Sequence, residues 1–318
     1  MYRCILCIVR FGKAGYGMFE SIKQKIRGPI AFPVTPFKLG GSGLVVDAGA
    51  MEQQIQYILD GGVLIVTPCG GTGEFFSLTL PEWKETVIAA MRAAKGRGVV
   101  FPGVGHDPDT AVEMTAFAKD SGCDGVVVIP PMTMFGTVDR GIYYYYEYIA
   151  NRVTFPLIPY KVNWSPMSVV LLKELAEIES VVAIKEESGD INWFKQAMDE
   201  LGNRIVGICA KAEMMAPFYY LAGAKAYTTG IGDFLPKLTA EFNTLLENKD
   251  FMGAMDMLPL FRELTEMRNQ AGCQTTIVKE ALSMLSICEP HVRPPLIPID
   301  DKKREAVAQI MRRHKAIS

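Results

Sequence analysis

The chain has 318 residues, 49% of them apolar, with 33 Lys and Arg against 35 Asp and Glu and a formal net charge of -2. That length can bury one large core, and charge of both signs mixed along the chain leaves no basic face for nucleic acid or an anionic membrane, so a small-molecule partner is expected. Seven cysteines fall mostly in apolar stretches and, apart from Cys4 and Cys7, lack the close pairing of a zinc site, which suits buried thiols in a reducing, cytoplasmic compartment.

Residues 1-27 read as an N-terminal extension. The Met1 to Val9 run is short, carries Arg3 and is followed by Arg10, which suits neither a membrane span nor a cleaved signal, and the Cys4/Cys7 CxxC has no second pair and no helix pattern after it. Between 28 and 235, short apolar runs recur around Ile30-Val34, Leu64-Val66, Val99-Phe101, Val126-Ile129, Leu157-Ile158, Val181-Ile184, Ile205-Ile208 and Ala226-Thr228. Near-continuous hydrophobicity is what parallel strands covered on both faces require. The segments between them are helical: Thr79-Leu-Pro-Glu82 is a capping box with proline in the first turn, and Trp83, Val87, Met91 and Ala94 form one apolar stripe after it. Ser121-Gly122 and Ala222-Gly223 put glycine where a helix ends, just before the next strand. Eight strand-helix units predict an α/β chain folded as a TIM (β/α)8 barrel, with a doubly wound sheet as the other arrangement. After Pro236 the strand signal disappears, and helical patterns near Thr239-Leu246, Phe251-Arg268, Thr275-Leu285 and beyond Asp300 make 236-318 the final barrel helix plus an all-helical C-terminal region.

In such a barrel, reactive residues sit at the C-terminal ends of strands. Lys185 ends the apolar Val181-Val-Ala-Ile184 run, and a partly desolvated lysine there has its pKa lowered toward neutrality, supplying the amine that attacks a carbonyl. The alternative is a salt-bridged lysine paired with Glu186 or Glu74. Tyr160 ends the preceding strand, where a phenol can shuttle the protons of carbinolamine formation, although a packed aromatic is the commoner use of such a position. Gly70-Gly-Thr-Gly-Glu74 follows the second strand. It lacks nucleotide-loop spacing, but its backbone N-H groups at Gly71 and the Thr72 hydroxyl are candidates for a carboxylate. Lys211 is a candidate for a distal carboxylate, with plain solvent exposure as the alternative, and Ser188 for binding substrate or a bound water. His106 reads as a hydrogen-bonded loop residue, with a substrate contact as the alternative, and Glu74 as a buried structural carboxylate bonded to backbone or hydroxyl groups, with a general base as the alternative.

These residues resemble the dihydrodipicolinate synthase and N-acetylneuraminate lyase family of Schiff-base barrels. Phe32-Pro-Val-Thr-Pro-Phe37, Gly70-Gly-Thr-Gly-Glu74 with Ser77-Leu-Thr79, Tyr160, Ile184-Lys-Glu-Glu-Ser-Gly-Asp190 and Val292-Arg-Pro-Pro-Leu296 carry the resemblance, from about Gly28 to Ile299. It implies Lys185 as the Schiff-base lysine, Tyr160 as the proton shuttle, Thr72 as a carboxylate binder, no cofactor or metal beyond the lysine, and a homo-oligomer, dimer or tetramer.

Against the synthases of that family, Gly71 replaces the first of two adjacent threonines, Pro130-Pro-Met-Thr-Met-Phe135 offers no tyrosine for a neighbouring subunit, and Tyr160-Lys-Val-Asn-Trp-Ser165 has no arginine for an aldehyde's carboxylate. The loop through Phe75-Phe76-Ser77-Leu78, and Arg268-Asn269, instead resemble 5-dehydro-4-deoxyglucarate dehydratases, although Lys161 after the tyrosine differs from that branch. The expectation is a lyase that dehydrates a 2-keto-3-deoxy sugar acid. The alternatives are a pyruvate-dependent aldolase or 4-hydroxy-tetrahydrodipicolinate synthase, and a non-catalytic keto-acid-binding barrel.

Overall fold

The computed structural model describes residues 19–41, 43–132, 136–270 and 272–317. Cys4, Cys7, most of the 1-27 extension and the end of the Pro130 to Phe135 segment lie outside the described residues. Eight parallel strands form the wall: β1 (Gly28–Ala31), β2 (Ile65–Val66), β3 (Val99–Val100 and Gly103–Val104), β4 (Val126–Val128), β5 (Leu157–Lys161), β6 (Ala183–Glu186), β7 (Val206–Cys209) and β8 (Ala226–Thr229). Neighbours in sequence pair in parallel and β8 returns to β1. The two halves of β3 flank Phe101-Pro102, where the proline has no N-H to donate; the first half pairs with β2 and the second with β4, so the sheet closes into a barrel.

Strand alternation divides the core in two. Ile30, Ile65, Phe101, Val127, Ile158, Val182 and Ile208 turn inward as one apolar cluster, joined by Ile22 of the short helix Glu20–Lys25 and by Ile26 just past its end. Val66, Val100, Val126, Leu157, Ile184 and Cys209 turn outward into a second cluster shared with the surrounding helices. The helix Leu80–Ala94 begins at the expected capping box, Thr79 Oγ1 accepting from the Glu82 backbone while the Glu82 side chain accepts from the Thr79 backbone. Trp83 from that helix donates through Nε1 to the Gly103 carbonyl at 2.8 Å, anchoring it to β3.

An antiparallel hairpin, Phe37–Gly40 with Gly43–Val46, was not anticipated. Most of its residues are exposed or half-buried, and its one short apolar run, Leu44 to Val46, buries only Val46, unlike barrel strands covered on both faces. Beyond the barrel, the helices Pro236–Glu247, Phe251–Arg268, Cys273–Met284 and Asp301–Arg313 account for the loss of strand signal after Pro236. The third of these is buried along most of its length. Its Lys279 donates to Glu74 Oε1 at 2.6 Å, both side chains fully buried, which ties the C-terminal region to the loop after β2.

Candidate active site

β5 and β6 are the strands that build the site. In their register Tyr160 lies opposite Lys185 and Lys161 opposite Glu186. Alternation sends the first pair into the barrel mouth and the second outward toward the helices. Lys185 Nζ sits 3.2 Å from the centroid of the Tyr160 ring and 5.1 Å from that of Phe32. Only 6% of Lys185 is exposed, and desolvation holds its amine well below the usual lysine range although Glu186 pulls the other way. That enclosure favours the neutral form of the amine, the form that adds to a carbonyl.

The sequence offered Glu186 or Glu74 as a salt-bridge partner for Lys185, and the structure corrects this. Glu186 is held outside the barrel, where Tyr219 donates to it at 2.6 Å and Lys161 at 3.2 Å, and Glu74 is taken by Lys279 and by the Arg293 backbone N-H at 3.0 Å. The carboxylate beside Lys185 is Glu187, with Oε2 3.2 Å from Nζ. Desolvation pushes the Glu187 carboxyl up to about 7, against the lowering pull of Lys211.

Lys185 and Tyr160 face a cavity of about 230 Å³. Gly71, Thr72 and Lys211, three of the four residues singled out for substrate binding, line it with them. The fourth, Ser188, lies beside it: its hydroxyl is hydrogen-bonded to Lys161 Nζ and to Glu186 on the outward side of β6. The loop carrying Gly71 passes so close to Phe32 that a Cβ on Gly70 would stand 2.6 Å from that ring, so only glycine permits the approach. The Thr72 carbonyl accepts from Thr275 Oγ1 at 3.1 Å, which steadies the loop from the C-terminal helices.

Two expectations about single residues resolve in the same region. Glu74 is buried as a structural carboxylate, but its partners are an ammonium and a backbone N-H, with no hydroxyl among them. His106 stacks on Phe75 at 4.5 Å between centroids, and its backbone carbonyl accepts from Tyr145; it does not line the cavity.

The cavity also draws Glu187, Arg268, Asn269 and Gln274, which sequence reasoning did not place in the site. Arg268 ends the helix Phe251–Arg268 and reaches the tip of β8, where a Cβ on Gly230 would fall 2.1 Å from its guanidinium. Two buried carboxyl groups, Glu213 and Asp233, act on it electrostatically. Burial raises the pKa of both, and Arg268 opposes the rise. The only sequence signal for Arg268 was its loop resemblance, because nothing in the helical pattern shows which end folds over the barrel mouth.

Among the described residues, no group of three or more His, Cys, Asp or Glu side chains is placed to hold a metal ion, and no helix is long and apolar enough to cross a membrane.

The sequence model of the dihydrodipicolinate synthetase family matches residues 25–314. A "probable 5-dehydro-4-deoxyglucarate dehydratase" of Oceanobacillus iheyensis is 27% identical over 292 residues, covering 90% of this chain and 94% of the relative. A 4-hydroxy-tetrahydrodipicolinate synthase of Pelobacter propionicus is 28% identical over 301 residues, covering 92% and 99%. Among solved structures, the dihydrodipicolinate synthase from Oceanobacillus iheyensis superposes with a TM-score of 0.87 at 27% identity, covering 93% of this chain and 99% of that one.

Proposed function

The chain belongs to the dihydrodipicolinate synthetase family and is a lyase, and from that premise we propose that it dehydrates a 2-keto-3-deoxy sugar acid of the 5-dehydro-4-deoxyglucarate type through a Schiff base on Lys185. One observation carries the reading: the enclosed Lys185 amine, against the ring of Tyr160, shares its cavity with two further cations, Lys211 and Arg268. A dicarboxylic sugar acid needs both provisions, a neutral amine for the keto group and positive charge for carboxylates.

The chemistry follows from the positions. Thr72 and the Gly71 backbone hold the carboxylate beside the keto group while the Lys185 amine adds to the keto carbon. Tyr160 transfers the protons that turn the carbinolamine into an iminium with loss of water. The iminium withdraws electrons from the neighbouring carbon, which releases a proton, and the hydroxyl one carbon further leaves as water. Lys211 and Arg268 hold the second carboxylate. No cofactor or metal is needed beyond the lysine itself. Gly71 in place of the first of two adjacent threonines, and the lack of an arginine after Tyr160, leave out provisions that a condensing synthase would use for an anionic aldehyde. We further read the enzyme as cytoplasmic, in keeping with its free, buried Cys69, Cys123 and Cys209, and as a homo-oligomer, for which the exposed Met132, Val138 and Val170 supply apolar surface.

Purified enzyme assayed side by side with 5-dehydro-4-deoxyglucarate and with pyruvate plus aspartate semialdehyde tests the proposal. Dehydration with little condensation is expected. Efficient condensation with no dehydration would replace the dehydratase reading with the synthase one.

A further inference from the structure

We propose that Glu187 is a catalytic base and acid of this site, taking the proton from the carbon beside the iminium and handing it to the departing hydroxyl. The inference rests on the reading of Lys185 as the Schiff-base lysine and goes beyond it by assigning the step that follows the iminium.

Geometry separates the candidates. In an iminium on Lys185 the carbon that must lose a proton is two bonds from Nζ, so a carboxylate oxygen 3.2 Å from Nζ is within contact range of that carbon. Glu187 lines the same cavity as Lys185, and its side chain is 40% exposed where that of Lys185 is 7% exposed, so it can turn toward a ligand without leaving the site. Tyr160 offers the amine the face of its ring, with Nζ over the centroid, and its hydroxyl is already assigned to the carbinolamine step that precedes. Glu186 is turned to the outer side of β6 and engaged by Tyr219, Lys161 and Ser188. Ser188 is engaged in that same outward cluster.

The step balances within the enzyme and substrate. The Glu187 carboxylate removes the proton, and the C–H electrons form the enamine double bond while the iminium nitrogen becomes neutral. The enamine then expels the hydroxyl from the next carbon, Glu187 returns its proton to that oxygen as water leaves, and the iminium is restored in conjugation with the new carbon–carbon double bond. Water releases the product and frees Lys185. A carboxyl that titrates near neutrality can act in both directions, and desolvation places the Glu187 carboxyl there. The other charged and titratable groups sharing the cavity are Lys185 and Tyr160 from the strands, Lys211 from the loop after β7 and Arg268 from the C-terminal helices.

Exchange of pyruvate methyl protons with deuterated water, followed by proton NMR, isolates this step because it needs the iminium and a base but no sugar acid. Borohydride trapping of pyruvate on Lys185 reports iminium formation in the same samples. Glu187→Gln should trap pyruvate as the wild type does, exchange it at least about 100-fold more slowly, and lose the rise of exchange rate with pH through about 7. Glu187→Asp should recover part of the exchange. Wild-type exchange in Glu187→Gln overturns the proposal, as does joint loss of trapping and exchange, which would make Glu187 a residue that activates Lys185. A wild-type enzyme that exchanges pyruvate through Glu187 yet dehydrates no sugar acid leaves this assignment standing and removes the dehydratase reading instead.

Discussion

Lys185 and Tyr160 are direct partners in the register of two adjacent parallel strands, and the amine of the first lies 3.2 Å above the ring centre of the second. The ring face stabilises a cation on Lys185, and the hydroxyl at the ring edge is a separate chemical resource. Tyr160→Phe removes only the second. It should leave unfolding temperature and the site of borohydride trapping unchanged while slowing turnover by roughly 10²–10⁴-fold, the range for losing a positioned proton-transfer group. Near-wild-type turnover, measured where chemistry limits the rate, would remove the phenol from the mechanism.

Enclosure of Lys185 has a cost in stability with a definite pH dependence. Its pKa is depressed in the folded state, so the native protein binds this proton less readily than the unfolded chain does. The stability associated with the neutral amine is complete above the unfolded value of about 10.4 and is lost as pH falls toward the folded value. Lys185→Met should abolish trapping and be more stable than the wild type, by a margin that widens from pH 10 to pH 6 in thermal unfolding. A margin that narrows over that range would contradict the depressed pKa.

The buried Lys279 and Glu74 pair holds the loop after β2 against the C-terminal helices. Lys279→Met alone strands a buried carboxylate and should cost about 3–5 kcal/mol in urea unfolding. Adding Glu74→Gln should recover part of that loss. A single substitution costing under about 1 kcal/mol would show that the loop is held by other contacts.

Arg268 tests the charge at the cavity. Arg268→Ala removes a charge-assisted contact of about 1.5–3 kcal/mol, so KM for a dicarboxylic sugar acid should rise about 10- to 100-fold. Trapping of pyruvate, which has no second carboxylate, should be unaffected. Equal weakening of both ligands would assign Arg268 to maintaining the shape of the barrel mouth through Glu213 and Asp233.

The eight barrel strands, the helix start at Thr79, the helical C-terminal region and the position of Lys185 at a strand end were all legible in the chain, because apolar runs, capping residues and glycine stops act over a few neighbouring residues. The hairpin Phe37–Gly40 with Gly43–Val46 was not foreseen because its strands lie largely exposed, with a short apolar run only at Leu44 to Val46. Gly71, Thr72, Tyr160, Lys185 and Lys211 meet at one cavity, as their strand-end positions suggested, whereas Ser188 is drawn outward to Lys161 and Glu186.

The partners of the charged groups could not be read in this way. Glu186 and Glu187 are adjacent and chemically identical, yet one serves the outer shell and the other faces the amine. Alternation along β6 puts them on opposite sides, but the β5–β6 register that brings Lys161 to Glu186 is a tertiary fact. Arg268 and Lys279 lie in helices far along the chain from Gly230 and Glu74, and only the packing of those helices across the barrel mouth brings them together. Local sequence therefore determined which residues end up at strand ends. Which of them share a cavity, and which carboxylate faces which ammonium, was decided by contacts between distant segments, since a buried charge takes whatever partner the closed barrel presents to it.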